Sequence, residues 1–197
     1  MEKLSYKKKF TLAEYYKALL LVYGAIGPIK RNRKSQLVSQ KTIERIMLRV
    51  TEVNGCPLCS YAHTSMALKQ GFSQEEIESF LSGGDEYIVP EEAKALLFAQ
   101  HYADVGGYVD KEAYKVFIEA YGEEKSDIIL SAIKIIMVGN MIGSPMGALG
   151  SRFKGKAFKD SSIFYELFMS VSILILFPLT AIHAIFYRKK IRFSKKR

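Results

Sequence analysis

Residues 44–71 of this 197-residue chain read ERIMLRVTEVNGCPLCSYAHTSMALKQG and contain both of its cysteines, Cys56 and Cys59. His63 follows Cys59 by four residues, and Glu44 precedes Cys56 by twelve. A helix that begins just after Cys56 would place Cys59 and His63 one turn apart on the same face. Cys56 would then be the N-cap, where unpaired backbone N–H groups and the helix dipole favour a thiolate. The segment therefore predicts a redox-active thiol pair with an imidazole within reach.

Two other interpretations of the cysteines are open, a zinc site and a pair of buried, unreactive thiols. A closed zinc site needs four ligands, and the chain has only two cysteines and three histidines. His101 lies in a predicted helix and His183 in a strongly apolar stretch, so a fourth ligand is missing and no metal site is predicted. A structural disulfide that closes so short a ring would add little stability. Redox chemistry is the favoured interpretation.

The run VNGCPLCSYAHTSMALKQGFSQEEI, residues 53–77, resembles the signature of the alkylhydroperoxidase D-like branch of the carboxymuconolactone decarboxylase family. That signature is a Glu, a helix, Asn-Gly-Cys-x-x-Cys-x-x-x-His, a helix that ends at Gly, and an acidic helix start. The resemblance implies an all-α domain of the alkylhydroperoxidase D-like type. The positions in register are Glu44, Asn54, Gly55, Cys56, Cys59, His63 and Gly71.

The resemblance also implies a reaction, the thiol-dependent reduction of a hydroperoxide. Cys59 would be the attacking thiolate, and Cys56 would resolve its sulfenic acid as a disulfide that an external dithiol reduces. His63 and Glu44 would relay the proton. Members of the family assemble as trimers or larger rings, so a homo-oligomer is implied. No cofactor is expected.

One position departs from the family pattern. The peroxidase prototypes carry a second His directly before the second cysteine, where this chain has Leu58. The absence of this second histidine favours an alternative function, that of a disulfide oxidoreductase that acts on a membrane-side partner. A second alternative is a non-enzymatic, membrane-anchored metal-binding protein or scaffold. The helix-dipole argument also makes Cys56 the more acidic thiol, whereas the resemblance assigns the attack to Cys59.

Glu44 lies beside a stripe of apolar residues in a helix predicted over residues 35–53. Glu44 could therefore be partly buried and turned toward the cysteines, a position that suits proton transfer. From spacing alone the favoured interpretation is an exposed Glu44 paired with Lys41 or Arg45, and only the family register reverses this. Glu52 is nearer to the cysteines but out of register. The stripe consists of Leu37, Ile43, Met47 and Val50.

The remaining pattern is helical throughout, because no stretch shows the alternation typical of a strand. Gly27-Pro28 is expected to end the first helix, residues 30–34 to form a solvated turn, and residues 140–147 to break the last helix of the domain. In the helix that Pro90 opens, Ala93, Leu96, Leu97 and Tyr102 are expected to be core. Helices are predicted at residues 10–29, 35–53, 57–70, 73–82, 90–105, 110–121 and 126–141.

The formal net charge of +9 is concentrated around one apolar segment. Residues 188–197 carry +7, residues 151–160 carry +3 and residues 161–187 carry −1, which leaves residues 1–150 without net charge. This distribution indicates a membrane surface as partner and argues against nucleic acid. Residues 167–186 contain no Lys, Arg, Asp or Glu, and twenty helical residues span a hydrocarbon core of about 30 Å.

We therefore expect an alkylhydroperoxidase D-like domain over residues 1–150, a basic linker over 151–162, one transmembrane helix over 163–187 and a basic tail over 188–197. The Lys and Arg count alone would place the tail in the cytoplasm. Because the weak signal-like stretch after Lys9 lacks a convincing cleavage site, we instead expect a single-pass protein whose domain faces the cytoplasm. The alternative is a C-terminal helix buried in an oligomer.

Overall fold

The structure is a computed structural model that describes residues 4–109 and 111–187, with only the backbone of Tyr187. Every regular element in these two ranges is helical, as the sequence predicts. The predicted basic tail and the predicted helix cap Asp110 lie outside the described residues. The α-helices are α1 (Leu12–Val22), α2 (Ile26–Ser35), α3 (Gln40–Asn54), α4 (Pro57–Lys69), α5 (Gln74–Ser82), α6 (Pro90–Asp104), α7 (Lys111–Phe153) and α8 (Ile163–Tyr187).

Helices α3 and α7 form the centre of the fold. Helix α3 packs against α4, α5, α6 and α7, and α7 also contacts α1, α2 and α8. Ile46 and Val50 of α3 and Ile133 of α7 are completely buried in their shared core. The apolar helix predicted over residues 126–141 is therefore confirmed as core. Burial of these side chains supplies most of the driving force that holds the helices together.

The predicted helix stop at Gly27-Pro28 is wrong. Helix α1 ends at Val22, a short 3₁₀ turn follows, and α2 then runs through both residues. Pro28 lies in the first turn of α2, where its missing N–H would have no partner within the helix. Residues 30–34, predicted as a solvated turn, are consequently the second half of this helix.

The predicted break at residues 140–147 is also wrong, because α7 continues to Phe153. The direction of α7 changes earlier, at Gly122, whose φ of +73° few other residues adopt; this agrees with the boundary predicted there. Pro145 lies inside the helix, and it is buried together with Ser144 and Ala148. Tertiary packing on this stretch outweighs the local cost of glycine and proline in a helix.

The predicted core of α6 is partly correct. Leu96 and Tyr102 are buried, and Ala93 is half-buried. Leu97 is 65% exposed, so its assignment to the core is wrong. One residue along a helix turns the side chain by about 100°, which carries Leu97 away from the face that Leu96 presents to the core.

Helix α3 begins five residues later than predicted, after a loop that Asn32 holds in place. Ser39 caps α3 by accepting a hydrogen bond from the Thr42 N–H at 3.0 Å. The buried Asn32 amide donates to the Val38 carbonyl at 2.8 Å, and the Val38 N–H donates to Asn32 Oδ1 at 3.0 Å. The Asn32 side chain thus provides hydrogen-bond partners for both backbone groups of Val38 in the loop between α2 and α3.

Among residues 4–109 and 111–187, two helices are long and apolar enough to cross a membrane, which by itself is weak evidence of membrane association. The first is α7, whose most apolar window is 78% buried, as in the core helix of a folded domain. The second is α8 over residues 163–186, whose window is only 28% buried. Helix α8 contacts α1 and α7, so it is part of the helical assembly and also its most exposed apolar element.

Replacing Asn32 should destabilise the fold measurably. We expect Asn32→Ala to lower the free energy of unfolding by about 1–3 kcal/mol, because two buried backbone groups of Val38 lose their partner. Denaturant unfolding followed by circular dichroism measures this difference. The matched control is Arg33→Ala, an exposed neighbour on the same helix. Equal effects of the two substitutions would contradict the role of Asn32.

Candidate redox site

The two cysteines lie where α3 meets α4. Gly55 ends α3 with a φ of +65°, a conformation that glycine adopts at little cost. Cys56 follows as the N-cap of α4, and its Sγ accepts a hydrogen bond from the Cys59 N–H at 3.2 Å. Asn-Gly-Cys in the sequence is therefore one compact joint between two helices, with Cys56 at the end where backbone N–H groups point outward.

Cys56 and Cys59 form a disulfide at this joint. The Cys59 sulfur lies 3.6 Å from the carbonyl oxygen of Gly139 on α7. Cys56 is completely buried, whereas Cys59 is 8% exposed. The two cysteines therefore differ in burial, and Cys59 is the one that keeps some contact with solvent.

Glu44 and His63 form a second pair beside the cysteines. His63 Nδ1 on α4 lies 2.6 Å from Glu44 Oε1 on α3, and both side chains are buried. The predicted burial of Glu44 is confirmed. His63 stands one helical turn after Cys59. With Nδ1–H donated to the carboxylate, the imidazole carries its lone pair on Nε2, where it can accept a proton.

The other candidate residues lie elsewhere. Glu52 forms an ion pair with Lys7 of the N-terminal segment. His101 is exposed on α6, and His183 on α8 contacts the Tyr16 hydroxyl. Within residues 4–109 and 111–187, no group of three or more His, Cys, Asp or Glu is arranged to hold a metal ion.

A row of glycines on α7 forms the floor of the site. The sequence pattern did not indicate this role. A Cβ atom built on Gly143 would lie 2.6 Å from the Cys59 sulfur and 2.8 Å from the Cys56 sulfur. One on Gly147 would lie 3.6 Å from the Leu58 Cβ. Gly139, Gly143 and Gly147 recur every fourth residue, and such spacing is a known signal of close helix approach. Gly143 and Gly147 let α4 approach α7, and neither ends the helix, whereas a Cβ on Gly139 would meet only Ile136 of the same helix.

Buried hydrogen bonds next to this floor hold α3 and α7 in register. The Thr51 hydroxyl donates to Asn140 Oδ1 at 3.2 Å, and Asn140 Nδ2 donates to the Val50 carbonyl at 3.4 Å. Asn140 is completely buried and adjoins Gly139 in sequence. Because buried polar groups are costly to leave unpaired, a shift of α7 along α3 would be penalised. The glycine floor is thereby kept under the sulfurs.

Leu58 occupies the position between the cysteines that departs from the peroxidase prototypes. It is 45% exposed and lies over Gly147. Tyr61, one turn further along α4, is 78% exposed. Helix α4 therefore presents an exposed apolar and an exposed aromatic side chain close in sequence to Cys59, and position 58 carries no imidazole.

Comparison with known proteins agrees with this site. The sequence matches the model of the "Carboxymuconolactone decarboxylase family" over residues 29–101, which include Glu44, both cysteines and His63. The chain belongs to the carboxymuconolactone decarboxylase family. The family match covers α3, α4 and α5 with most of α2 and α6; α7, which carries the glycine floor, and α8 lie beyond it. The resemblance inferred from the cysteine motif is thus confirmed.

A bacterial protein about as long as the predicted helical domain is similar in sequence to this chain. The chain is 30% identical over 121 residues to "Uncharacterized protein YdfG" of Bacillus subtilis (strain 168). The aligned part covers 60% of this chain and 82% of that protein. No solved structure matches the chain significantly.

Filling the glycine floor should displace the disulfide. We expect Gly143→Ala to lower the free energy of unfolding by about 1–3 kcal/mol, because the added methyl group overlaps both sulfurs. Gly150→Ala is the matched control on the same helix, where a Cβ meets nothing within 4 Å. That control should instead stabilise α7 by up to about 1 kcal/mol. Denaturant unfolding of the oxidised proteins measures both, and equal outcomes would contradict the close contact.

Proposed function

We propose that this protein is a thiol-dependent hydroperoxide reductase. The observation that carries the proposal is the Cys56–Cys59 disulfide at a helix N-terminus, with the buried Glu44–His63 pair one turn away. The family includes decarboxylases and peroxidase-like enzymes, so membership alone does not choose the reaction. A dithiol that can cycle through a disulfide supports the redox branch.

The first step would be attack of the Cys59 thiolate on the outer oxygen of the hydroperoxide. The O–O bond breaks, the alcohol leaves with a proton, and Cys59 becomes a sulfenic acid. The exposure of the two residues supports this assignment, because Cys59 is 8% exposed and Cys56 is completely buried. Cys56 then attacks the Cys59 sulfur, the S–O bond breaks and water leaves with a second proton. The disulfide results.

The last step would be reduction of the disulfide by an external dithiol. Its thiolate attacks the Cys59 sulfur, the less deeply buried of the two cysteines, and Cys56 leaves as a thiolate. The Cys59 N–H, which already lies 3.2 Å from Cys56 Sγ, and the N-terminus of α4 would stabilise that leaving group. The dipole argument and the family assignment then agree: Cys56 is the more acidic leaving thiol, and Cys59 is the sulfur that partners reach.

His63 and Glu44 would handle the protons. Glu44 holds the imidazole by Nδ1, so that Nε2 can take the Cys59 proton before attack and return it to a leaving oxygen, directly or through water. Because both groups are buried, the relay is shielded from bulk solvent. Position 58 would supply no second relay, since it is Leu.

Membrane attachment and assembly are further parts of the proposal. Its exposed apolar surface suits α8 for holding the domain of residues 1–150 at a membrane. A single span with the domain in the cytoplasm is the arrangement that the sequence predicts. A trimer or larger ring is proposed from the family. A hydroperoxide and a dithiol reductant are the proposed partners of the site, without a cofactor.

A disulfide oxidoreductase that acts on a membrane-side protein is the second candidate. The observation that favours it is Leu58, exposed and apolar beside the disulfide. Such a surface suits contact with a protein thiol, and it lacks the additional proton donor that the peroxidase prototypes carry. The same dithiol cycle would operate, with a protein disulfide in place of the hydroperoxide.

The decisive experiment is peroxide consumption by the full chain in detergent, with a dithiol reductant in excess. We expect turnover that Cys59→Ser abolishes, because the variant lacks the attacking thiolate. Ser65→Ala, an exposed position on the same helix, should leave the rate unchanged. Turnover equal in Cys59→Ser and the wild type would overturn the assignment of Cys59.

If folded protein with both thiols reduced consumes no peroxide, the reductase proposal is wrong. Reduction of a model protein disulfide by the same preparation would then identify the oxidoreductase. Stoichiometric zinc in the purified protein, with neither activity, would identify the metal-binding alternative. The three candidates therefore give three different results in one set of assays.

Restoring the family histidine should raise the peroxide rate. We expect Leu58→His to increase kcat/KM for a small hydroperoxide by about tenfold or more, because positioned acid–base groups contribute 10²–10⁴-fold when optimal. Leu58→Gln, which is polar but does not titrate near neutral pH, is the matched control. A gain in both variants would show that polarity, not proton transfer, limits the native site. No gain in either would show that position 58 does not limit the rate.

A further inference from the structure

Helix α8 has two faces of different character. One face is buried against the domain, with its residues spaced three or four apart along the helix. That spacing is the signature of a helix that lies on a core along its length. The buried residues are Glu166, Met169, Ser172, Leu176, Thr180 and Ala184.

Polar contacts fasten α8 to the N-terminal helices as well as to α7. Near its start, the Tyr165 hydroxyl donates to the Phe10 carbonyl at 2.8 Å. Further along, the Tyr23 hydroxyl donates to the Phe177 carbonyl at 2.6 Å. Near its end, the Tyr16 hydroxyl lies 2.6 Å from His183 Nδ1. Helix α8 is therefore docked on the domain from its first turns to its last.

The linker predicted between the domain and α8 is folded rather than free. Arg152 at the end of α7 donates two hydrogen bonds of 2.7 Å to the carboxylate of Glu166, which is completely buried. The Tyr6 N–H donates to the Asp160 carboxylate at 3.1 Å. A bidentate Arg–carboxylate pair fixes direction as well as distance. The angle between α7 and α8 is thus set where α8 begins.

The opposite face of α8 is apolar and exposed over its whole length. Phe164 is 82% exposed, Leu174 75%, Ile185 70% and Phe186 81%. No charged residue interrupts residues 167–186. A helix that faces water exposes only scattered single apolar residues, whereas this face of α8 is a continuous apolar surface.

A perpendicular span is hard to reconcile with this docking. If α8 crossed the bilayer, Tyr16 of α1 and Tyr23 of the following 3₁₀ turn, which touch its end and its middle, would enter the hydrocarbon with it. Helix α1 carries Glu14 and the exposed Lys17, and charged side chains are costly at that depth. A helix that lies parallel to the surface needs only its outward face in the acyl layer, and the domain stays in water.

We propose that α8 lies along the surface of a bilayer as an in-plane anchor, its outward face in the acyl layer and the domain above the headgroups. This inference rests on the membrane attachment in the proposed function and is independent of the reaction. It replaces the single span that the sequence predicts. The expected depth of the outward face is about 5–10 Å below the headgroup boundary.

Charge favours a bilayer over a second copy of the chain on this face. Lys154, Lys156 and Lys159 are exposed just before α8, and the sequence after α8 carries +7. Two copies that met through α8 would bring these cationic ends together, whereas anionic headgroups would attract them. Both ends of the anchor therefore match a negatively charged lipid surface.

Tryptophan depth measurements test the proposal, because the chain has no tryptophan of its own. Phe164→Trp, Ile175→Trp and Ile185→Trp each place one reporter on the outward face, in full-length protein reconstituted into vesicles of phosphatidylcholine and phosphatidylglycerol. Quenching by lipids labelled at different acyl positions gives each depth. The control is Leu97→Trp on α6, which is exposed and should remain unquenched.

An in-plane anchor predicts equal, shallow depths at the three positions. A transmembrane helix predicts that position 175 lies about 15 Å deeper than positions 164 and 185, because ten or eleven residues separate it from them. That profile would overturn the in-plane arrangement while leaving membrane attachment intact. Absence of quenching at all three, with the protein oligomeric and in solution, would overturn attachment itself and favour a second copy on α8.

The lysines give a second readout. We expect the combined substitution of Lys154, Lys156 and Lys159 by Gln to weaken binding to anionic vesicles at least tenfold, since each such lysine contributes roughly fivefold near a charged surface. Binding to vesicles of phosphatidylcholine alone should change little. Unchanged binding to anionic vesicles would contradict the proposed orientation of this end of α8. Peroxide turnover in detergent, measured on the same variant, separates this result from any failure of the enzymatic proposal.

Discussion

The contact between the two cysteine sulfurs and the bare backbone at Gly143 is the constraint on which the site depends. Any side chain there would lie within 2.8 Å of both sulfurs, so α4 could not reach α7. Close approach in turn buries Cys56, brings Cys59 to the Gly139 carbonyl and sets His63 against Glu44. The hydrogen bonds of Asn140 to α3 keep α7 in the register that this contact requires.

Much of the fold and of the site could be predicted, because their signals are local. The cysteine joint and the N-cap position of Cys56 follow from helix geometry, and the burial of Glu44 follows from the family register; the direct contact between Glu44 and His63 was not among the predictions. Gly27-Pro28 and the Gly143 region misled the prediction for one physical reason. Glycine and proline are helix breakers on average, and only the tertiary neighbours show that one stretch opens a helix and the other receives sulfur atoms.

For the C-terminal helix α8, too, the local sequence pattern does not reveal the tertiary neighbours. Hydropathy and flanking charge identify an apolar helix next to a membrane, but they do not reveal whether one face of it is occupied. In the charge pattern of the sequence, Glu166 is simply the one charged residue among residues 161–187. In the structure it is a buried partner of Arg152. Contacts between segments far apart in sequence, such as Tyr16 with His183, decide whether such a helix crosses a bilayer or rests on it.

The disulfide closes within a single turn at the start of α4, and this has a consequence for the life of the protein in a cell. A cross-link between residues three apart removes less freedom from the unfolded chain than one that closes a long loop, so its reduction changes the balance between folded and unfolded states comparatively little. The quality-control machinery, which samples unfolded molecules, would therefore distinguish the oxidised from the reduced protein only weakly. The abundance of the protein is thereby only weakly coupled to its redox state.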